Sequence, residues 1–144
     1  MKTFSGDGFG RLFTLRLDPG DYVLESINEF IGREKIDNAV VVSAIGTLDT
    51  CVMHMVMTTG LPPVEHFEKW DDKPLELSAI SGIIADGVPH LHMVVSDHKT
   101  AFSGHLEPGC RILYLGEIVI AEMNGFHYGR IRNEKNILEL TDKA

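Results

Sequence analysis

The sequence has few cysteines and no long apolar run. Its 144 residues include two cysteines, Cys51 and Cys110, which lie far apart and form no Cys-x-x-Cys pair. No stretch approaches the roughly 20 apolar residues that cross a bilayer, so we predict no membrane partner. The first ten residues, MKTFSGDGFG, lack the apolar segment of a secretion signal. We therefore expect a cytoplasmic protein with reduced thiols and no catalytic cysteine.

Basic residues are also scarce. Thirteen Lys and Arg residues stand against 21 Asp and Glu residues, and the net charge is −8. Because cationic neutralisation of phosphates dominates affinity for nucleic acid, this balance disfavours direct DNA binding. The densest basic group is Arg130, Arg132 and Lys135, and we predict that it does not form a DNA site.

The apolar spacing predicts one helix and about seven strands. Val23, Leu24, Ile27, Phe30 and Ile31 recur at intervals of three and four, which is typical of an amphipathic helix over roughly residues 21–34. The predicted strands are 11–17, 38–47, 50–58, 74–84, 88–96, 101–107 and 110–122, with short strands near 125–131 and 136–140. These elements predict one α+β domain over residues 1–144, with the helix packed on a mostly antiparallel sheet.

The longest irregular segment, residues 59–73, contains two prolines and is predicted to be a loop. Its aromatic side chains, Phe67 and Trp70, are expected to pack on a neighbouring element or to anchor a subunit contact. Several strands are apolar on both faces, more than one helix can cover, which favours an oligomer.

The chemically most informative segment is a hairpin with three histidines. Residues 96–101, SDHKTA, are typical of a turn between strands, with Asp97 facing Thr100. In that register His92 faces His105 and His90 faces Glu107. Side chains alternate along a strand, so these four share one face. The opposite face, toward the core, then carries Leu91, Met93, Val95, Phe102 and Leu106.

This arrangement predicts a site for a divalent transition metal. Directly opposed Cβ atoms lie about 4.5–5.5 Å apart, a separation that a metal with imidazole bonds of about 2.0–2.1 Å can bridge. The predicted ligands are His90, His92 and His105, with Glu107 as a fourth ligand or a supporting partner. Zinc suits these ligands best, with iron and nickel as alternatives. Affinity should weaken below about pH 6, where protons compete for the imidazoles.

The alternative is that these histidines only fill a polar face or a subunit contact. The other four histidines are isolated in the sequence and are interpreted as packing or surface residues; they are His54, His66, His98 and His127.

Four segments carry a resemblance to a known family. They are LDPGDYVLESINEF, VVSAIGTLDTCVM, LELSAISGIIADGVPHLHMVVSD and SGHLEPGCRILYLGEIVI. Over nearly its whole length the sequence resembles the PPC (plants and prokaryotes conserved) domain. The resemblance implies a mostly antiparallel sheet with one helix, assembled as a homotrimer. In prokaryotic members the retained histidines resemble a metal site, which maps onto His90, His92 and His105.

Three functions remain open at this point. The first is a metal-binding trimeric module, regulatory in role and without catalysis of its own. The second is a DNA-binding protein, although plant members of the family carry a separate AT-hook with an Arg-Gly-Arg-Pro core that this sequence lacks. The third is a small metalloenzyme that uses an open coordination position. No nucleophile, general acid or phosphate-binding loop stands out, so no catalytic residue is predicted.

Overall fold

The computed structural model describes residues 1–143; Ala144, the last residue of the predicted domain, lies outside them. The elements, in chain order, are β1 (Gly8–Leu17), α1 (Val23–Glu34), β2 (Ala39–Val56), β3 (Glu65–Trp70), β4 (Leu75–Ala85), β5 (Val88–Ser96), β6 (Ala101–Leu106), β7 (Arg111–Asn124), β8 (Tyr128–Arg132) and β9 (Leu138–Asp142). The first seven strands form one antiparallel sheet in the order β1-β7-β2-β4-β5-β6, with β3 paired to β2. Strands β8 and β9 form a separate hairpin. The predicted α+β class is confirmed.

The helix forms where the apolar spacing predicts it. Val23, Ile27, Phe30 and Ile31 are its buried residues, and they form one stripe against the sheet. The Phe30 ring meets the Phe13 ring of β1 edge to face, with centroids 5.0 Å apart. The helix ends as Lys35 adopts the left-handed conformation. None of the helices within residues 1–143 is long and apolar enough to span a bilayer.

Strand β2 replaces two predicted strands, so the prediction of separate strands at 38–47 and 50–58 is wrong. Its pairing with β7 shifts register on either side of the buried Leu48, and such irregularities bend a strand without ending it. As a result, the first half of β2 pairs with β4 and the second half pairs with β3 and β6. The path β2-β4-β5-β6 therefore closes back on β2.

The predicted loop at 59–73 is also wrong in part, because it contains β3. This short edge strand is mostly exposed and carries charged residues, so it lacks the apolar alternation that indicates a strand. Its aromatics do pack on neighbours, as predicted. Trp70 lies against Phe102 of β6 with ring centroids 4.9 Å apart, and Phe67 lies against His54 of β2 at 5.1 Å.

The β5–β6 hairpin forms in the predicted register. His92 pairs with His105 and Ser96 with Ala101, and the backbone N–H of Asp97 donates to the carbonyl oxygen of Thr100 at 3.0 Å. The predicted core face is confirmed, since four of its members are buried and the fifth packs against the core: Leu91, Met93, Val95, Leu106 and Phe102.

One detail of the register differs from the prediction. The pairing of β5 with β6 ends at His92 and His105, so His90 does not face Glu107. His90 pairs instead with Ile83 of β4. Glu107 follows the end of β6, where its backbone N–H donates to the carbonyl oxygen of Val52 in β2. The closure of the sheet onto β2 draws Glu107 away from β5.

Candidate metal centre

Three histidines form a row across three neighbouring strands. His92 of β5 faces His105 of β6, and His105 in turn faces His54 of β2. Directly opposed residues in antiparallel strands point to the same face, so the three imidazoles lie side by side. His90, two residues before His92, shares that face. We call His54, His90, His92 and His105 the histidine cluster.

The three predicted ligands are spaced as ligands of one ion would be. The ring centroids of His90 and His105 are 5.2 Å apart, and His92 lies 5.4 Å from each of them. When imidazoles share a tetrahedral metal at about 2.0–2.1 Å, each ring centre lies about 3.2 Å from the ion, so ring centres are about 5.2 Å apart. The rings of His90, His92 and His105 therefore stand at the separations that a shared metal requires.

His54 belongs to the cluster as well, and its interpretation as an isolated packing or surface residue is wrong. Its ring stacks on that of His105, with centroids 4.5 Å apart and planes inclined by 26°. Within residues 1–143, the donor atoms that already lie within 4.8 Å of one another belong to His54, His105 and Glu107. His90 and His92 are not in this set, although their ring centroids lie 5.2 and 5.4 Å from that of His105.

Glu107 holds two of the rings. Its Oε1 accepts hydrogen bonds from Nδ1 of His54 at 2.6 Å and from Nδ1 of His105 at 3.0 Å. A carboxylate that is ionised only accepts, so hydrogen bonding to it selects the tautomer with the proton on Nδ1 in each ring. Ligating histidines are commonly oriented by a carboxylate in this way. The contact allows Glu107 to orient both rings, and its carboxylate also lies within reach of a metal that these rings would bind.

The two β5 histidines are exposed, yet both have a lowered pKa. The pKa of His90 is lowered, first by desolvation, then by the positive charge of Arg130 and by the other histidines of the cluster. The pKa of His92 is lowered by desolvation and then by His105 and His54. Neutral imidazole is the form that binds a metal, so both shifts favour binding at neutral pH.

The remaining histidines are outside the cluster, as predicted. His66 of β3 is exposed and pairs with Glu68 at 3.0 Å. His98 lies in the β5–β6 turn, and His127 precedes β8; both are exposed. They provide internal controls for any measurement on the cluster.

A cleft of about 510 Å³ opens above the cluster. The four histidines line it together with Val56, Pro63, Glu65, Val88 and Pro89. The segment from β8 to β9 contributes Arg130, Arg132, Asn136, Ile137 and Leu138. The cleft is large enough for a small molecule, and its lining mixes charged, polar and apolar side chains.

Residues 4–124 match the sequence profile of the Plants and Prokaryotes Conserved (PCC) domain, the family abbreviated PPC above. The chain belongs to this family. The match covers β1 through β7 and so includes the whole histidine cluster, whereas Arg130 and the β8–β9 hairpin lie beyond it.

Solved structures share the PPC fold with this chain. A metal-containing protein from Archaeoglobus fulgidus superimposes with a TM-score of 0.79 at 25% identity, covering 96% of each chain. A PPC protein from Pyrococcus horikoshii has a TM-score of 0.80 at 22% identity, covering 100% of this chain and 98% of the other. The bifunctional protein GlmU of a Synechococcus strain is 29% identical over 121 residues. That match covers 83% of this chain but 18% of the relative, so the chain spans less than a fifth of that protein.

Proposed function

We propose that the histidine cluster binds a divalent transition metal, with His90, His92 and His105 as the protein ligands. The observation that carries the proposal is the spacing of the three rings, 5.2–5.4 Å between centroids. The Archaeoglobus fulgidus protein with the same fold is described as metal-containing, which supports the same property here. Zinc is the proposed metal because neutral imidazoles suit it, and iron and nickel are the alternatives.

The other two residues of the site have supporting roles in this proposal. Glu107 orients His105 and His54 through their Nδ1 atoms, and Nε2 of His105 is then the nitrogen that would bind the metal. His54 stacks on His105 and restricts its rotation. Three protein ligands leave one position of a tetrahedral metal open toward the cleft, where a bound metal would polarise a water or a small ligand.

Metal content measured on protein purified without a histidine tag tests the proposal directly. Wild type should bind one metal per chain, and the double variant H92A/H105A should lose stoichiometric binding because the central opposed pair is gone. H98A is the matched control, and it should bind normally because His98 lies in the exposed turn. Unchanged metal content in the double variant would contradict the proposal.

A further variant separates the two candidate ligand sets. If His90, His92 and His105 are the ligands, H54A should keep one metal per chain with a weaker affinity, since His54 only supports His105. If H54A loses stoichiometric binding while H92A retains it, the ligands are instead His54, His105 and Glu107, whose donor atoms lie within 4.8 Å of one another.

We also propose that the protein is a homotrimer, as the family resemblance implies. Large apolar side chains remain exposed on the neighbouring strands β2 and β7, among them Val42, Ile45 and Tyr114. Phe67 of β3 is 59% exposed and is available as an anchor, whereas Trp70 packs on Phe102. Sedimentation equilibrium at micromolar concentration should give three times the monomer mass of 16.0 kDa. A monomer at that concentration would refute the proposal.

A further inference from the structure

The arginines of this acidic chain divide into two groups. Arg11, Arg16, Arg33 and Arg111 each form a salt bridge with a carboxylate, at N···O distances of 2.7–3.5 Å. Arg130 and Arg132 form none with the residues of 1–143, and both line the cleft above the histidine cluster. In a protein with a net charge of −8, the two arginines without a carboxylate partner line the same cleft.

Arg130 is the more deeply placed of the two. It lies on β8, in the hairpin that lines the cleft, and its Nε is buried without a hydrogen-bond partner among the described residues. Burial lowers the pKa of its guanidinium, and its charge lowers the pKa of His90. A buried N–H without a partner costs free energy, so this guanidinium keeps a donor that the described residues leave unsatisfied.

The side chains that line the cleft indicate which chemical group would accept hydrogen bonds from Arg130. A guanidinium presents parallel N–H donors that match a carboxylate bidentately. The cleft volume of about 510 Å³ admits a small molecule, and Val56, Val88 and Leu138 provide apolar walls for its carbon chain. The histidine cluster lines the same cleft, and there a metal with an open position would take a second oxygen of the same molecule.

We propose that this cleft binds a small organic carboxylate with a second oxygen donor, such as a 2-hydroxy acid, a 2-oxo acid or a short dicarboxylate. Arg130 pairs with the carboxylate, Arg132 adds positive charge at the rim, and the second oxygen faces the histidine cluster. For the second oxygen, the inference rests on the proposed metal site. The contact with Arg130 does not depend on a metal, because it follows from the position of Arg130 in the cleft lining.

Isothermal titration of zinc-loaded protein with malonate, lactate, 2-oxobutanoate and inorganic phosphate tests the inference. At least one of the three carboxylates should bind with a dissociation constant in the millimolar range or below. R130Q should weaken that binding by about 10- to 100-fold, the loss expected for a charged hydrogen-bonded pair. R130K should bind more tightly than R130Q, because lysine keeps the positive charge although it lacks the paired N–H donors of a guanidinium. R16Q is the matched control, since Arg16 is exposed and pairs with Asp18.

The outcomes are distinguishable from failure of the metal proposal, because zinc content is measured on every sample. If none of the three carboxylates binds, or if R130Q and R130K bind as tightly as R16Q, the inference is wrong although the zinc site stands. If phosphate binds and the carboxylates do not, the ligand class is wrong. If wild type holds no zinc, the metal proposal fails. In that case the arginine contact is still supported if the metal-free protein binds a carboxylate and R130Q does not.

Discussion

Glu107→Gln is the most informative single substitution at the site. The change preserves the size of a side chain that is 19% exposed and removes its charge. Two N–H···O bonds to Oε1, at 2.6 and 3.0 Å, then lose their charged acceptor. Hydrogen bonds to charged groups contribute about 1.5–3 kcal/mol and neutral ones about 1 kcal/mol, so the loss over two bonds is about 1–4 kcal/mol. Removing a carboxylate that hydrogen-bonds to a metal-binding histidine generally lowers the metal affinity about 10- to 100-fold. This corresponds to about 1.4–2.8 kcal/mol, which lies within the range obtained from the hydrogen bonds.

We therefore expect E107Q to bind one zinc per chain with an affinity about 10- to 100-fold below wild type. Competition against a chromophoric chelator measures this affinity. E68Q is the matched control, because Glu68 also pairs with a histidine, His66 at 3.0 Å, but outside the cluster. An unchanged affinity in E107Q would refute the supporting role of Glu107. Complete loss of stoichiometric binding, as expected for H92A/H105A, would show instead that Glu107 is a direct ligand.

Two further predictions concern the turn and the basic residues. The pKa of Asp97 is lowered by Lys73, whose Nζ lies 2.7 Å from Oδ2, and by backbone N–H groups of Lys99 and Thr100. A lowered pKa stabilises the fold above the unfolded value of about 3.9. The stability advantage of wild type over D97N, followed by urea unfolding, should therefore be full above about pH 5 and shrink as the pH falls further. In a mobility-shift assay near physiological salt, the protein should retain no duplex DNA at micromolar concentration; tight, salt-sensitive retention would show that the basic residues Arg130, Arg132 and Lys135 form a DNA site after all.

The parts of the fold that depend on local sequence were predictable. The helix follows from five apolar residues at helical spacing, and the β5–β6 hairpin follows from a turn flanked by alternating residues. Asp97 shows why the turn is a strong signal, because its Oδ1 accepts the backbone N–H groups of Lys99 and Thr100, both at 2.8 Å. Once that turn forms, the pairing of His92 with His105 requires no information from the rest of the chain.

The parts that depend on distant pairing were not predictable. His54 stands alone in an apolar strand, and nothing nearby in the sequence indicates a partner for it. Its place in the cluster comes from the pairing of β2 with β6, more than 50 residues away, which brings His54 opposite His105. The same closure pairs Glu107 with Val52 of β2 and not with β5. Extending the β5–β6 register beyond His105 therefore wrongly places Glu107 opposite His90.

Gly104 shows how the closure builds the site. A Cβ atom at this position would lie 2.8 Å from the carbonyl oxygen of His54 and 3.0 Å from the sulfur atoms of Met53 and Met55. A side chain there would force β6 away from β2, since a contact of 2.8 Å with backbone cannot be relieved by rotating a side chain. Glycine therefore permits the approach at which His105 stacks on His54 and both rings reach one carboxylate. The hairpin supplies two predicted ligands in local register, but the orientation of His105 toward the cleft is set by a second strand that arrives from elsewhere in the chain.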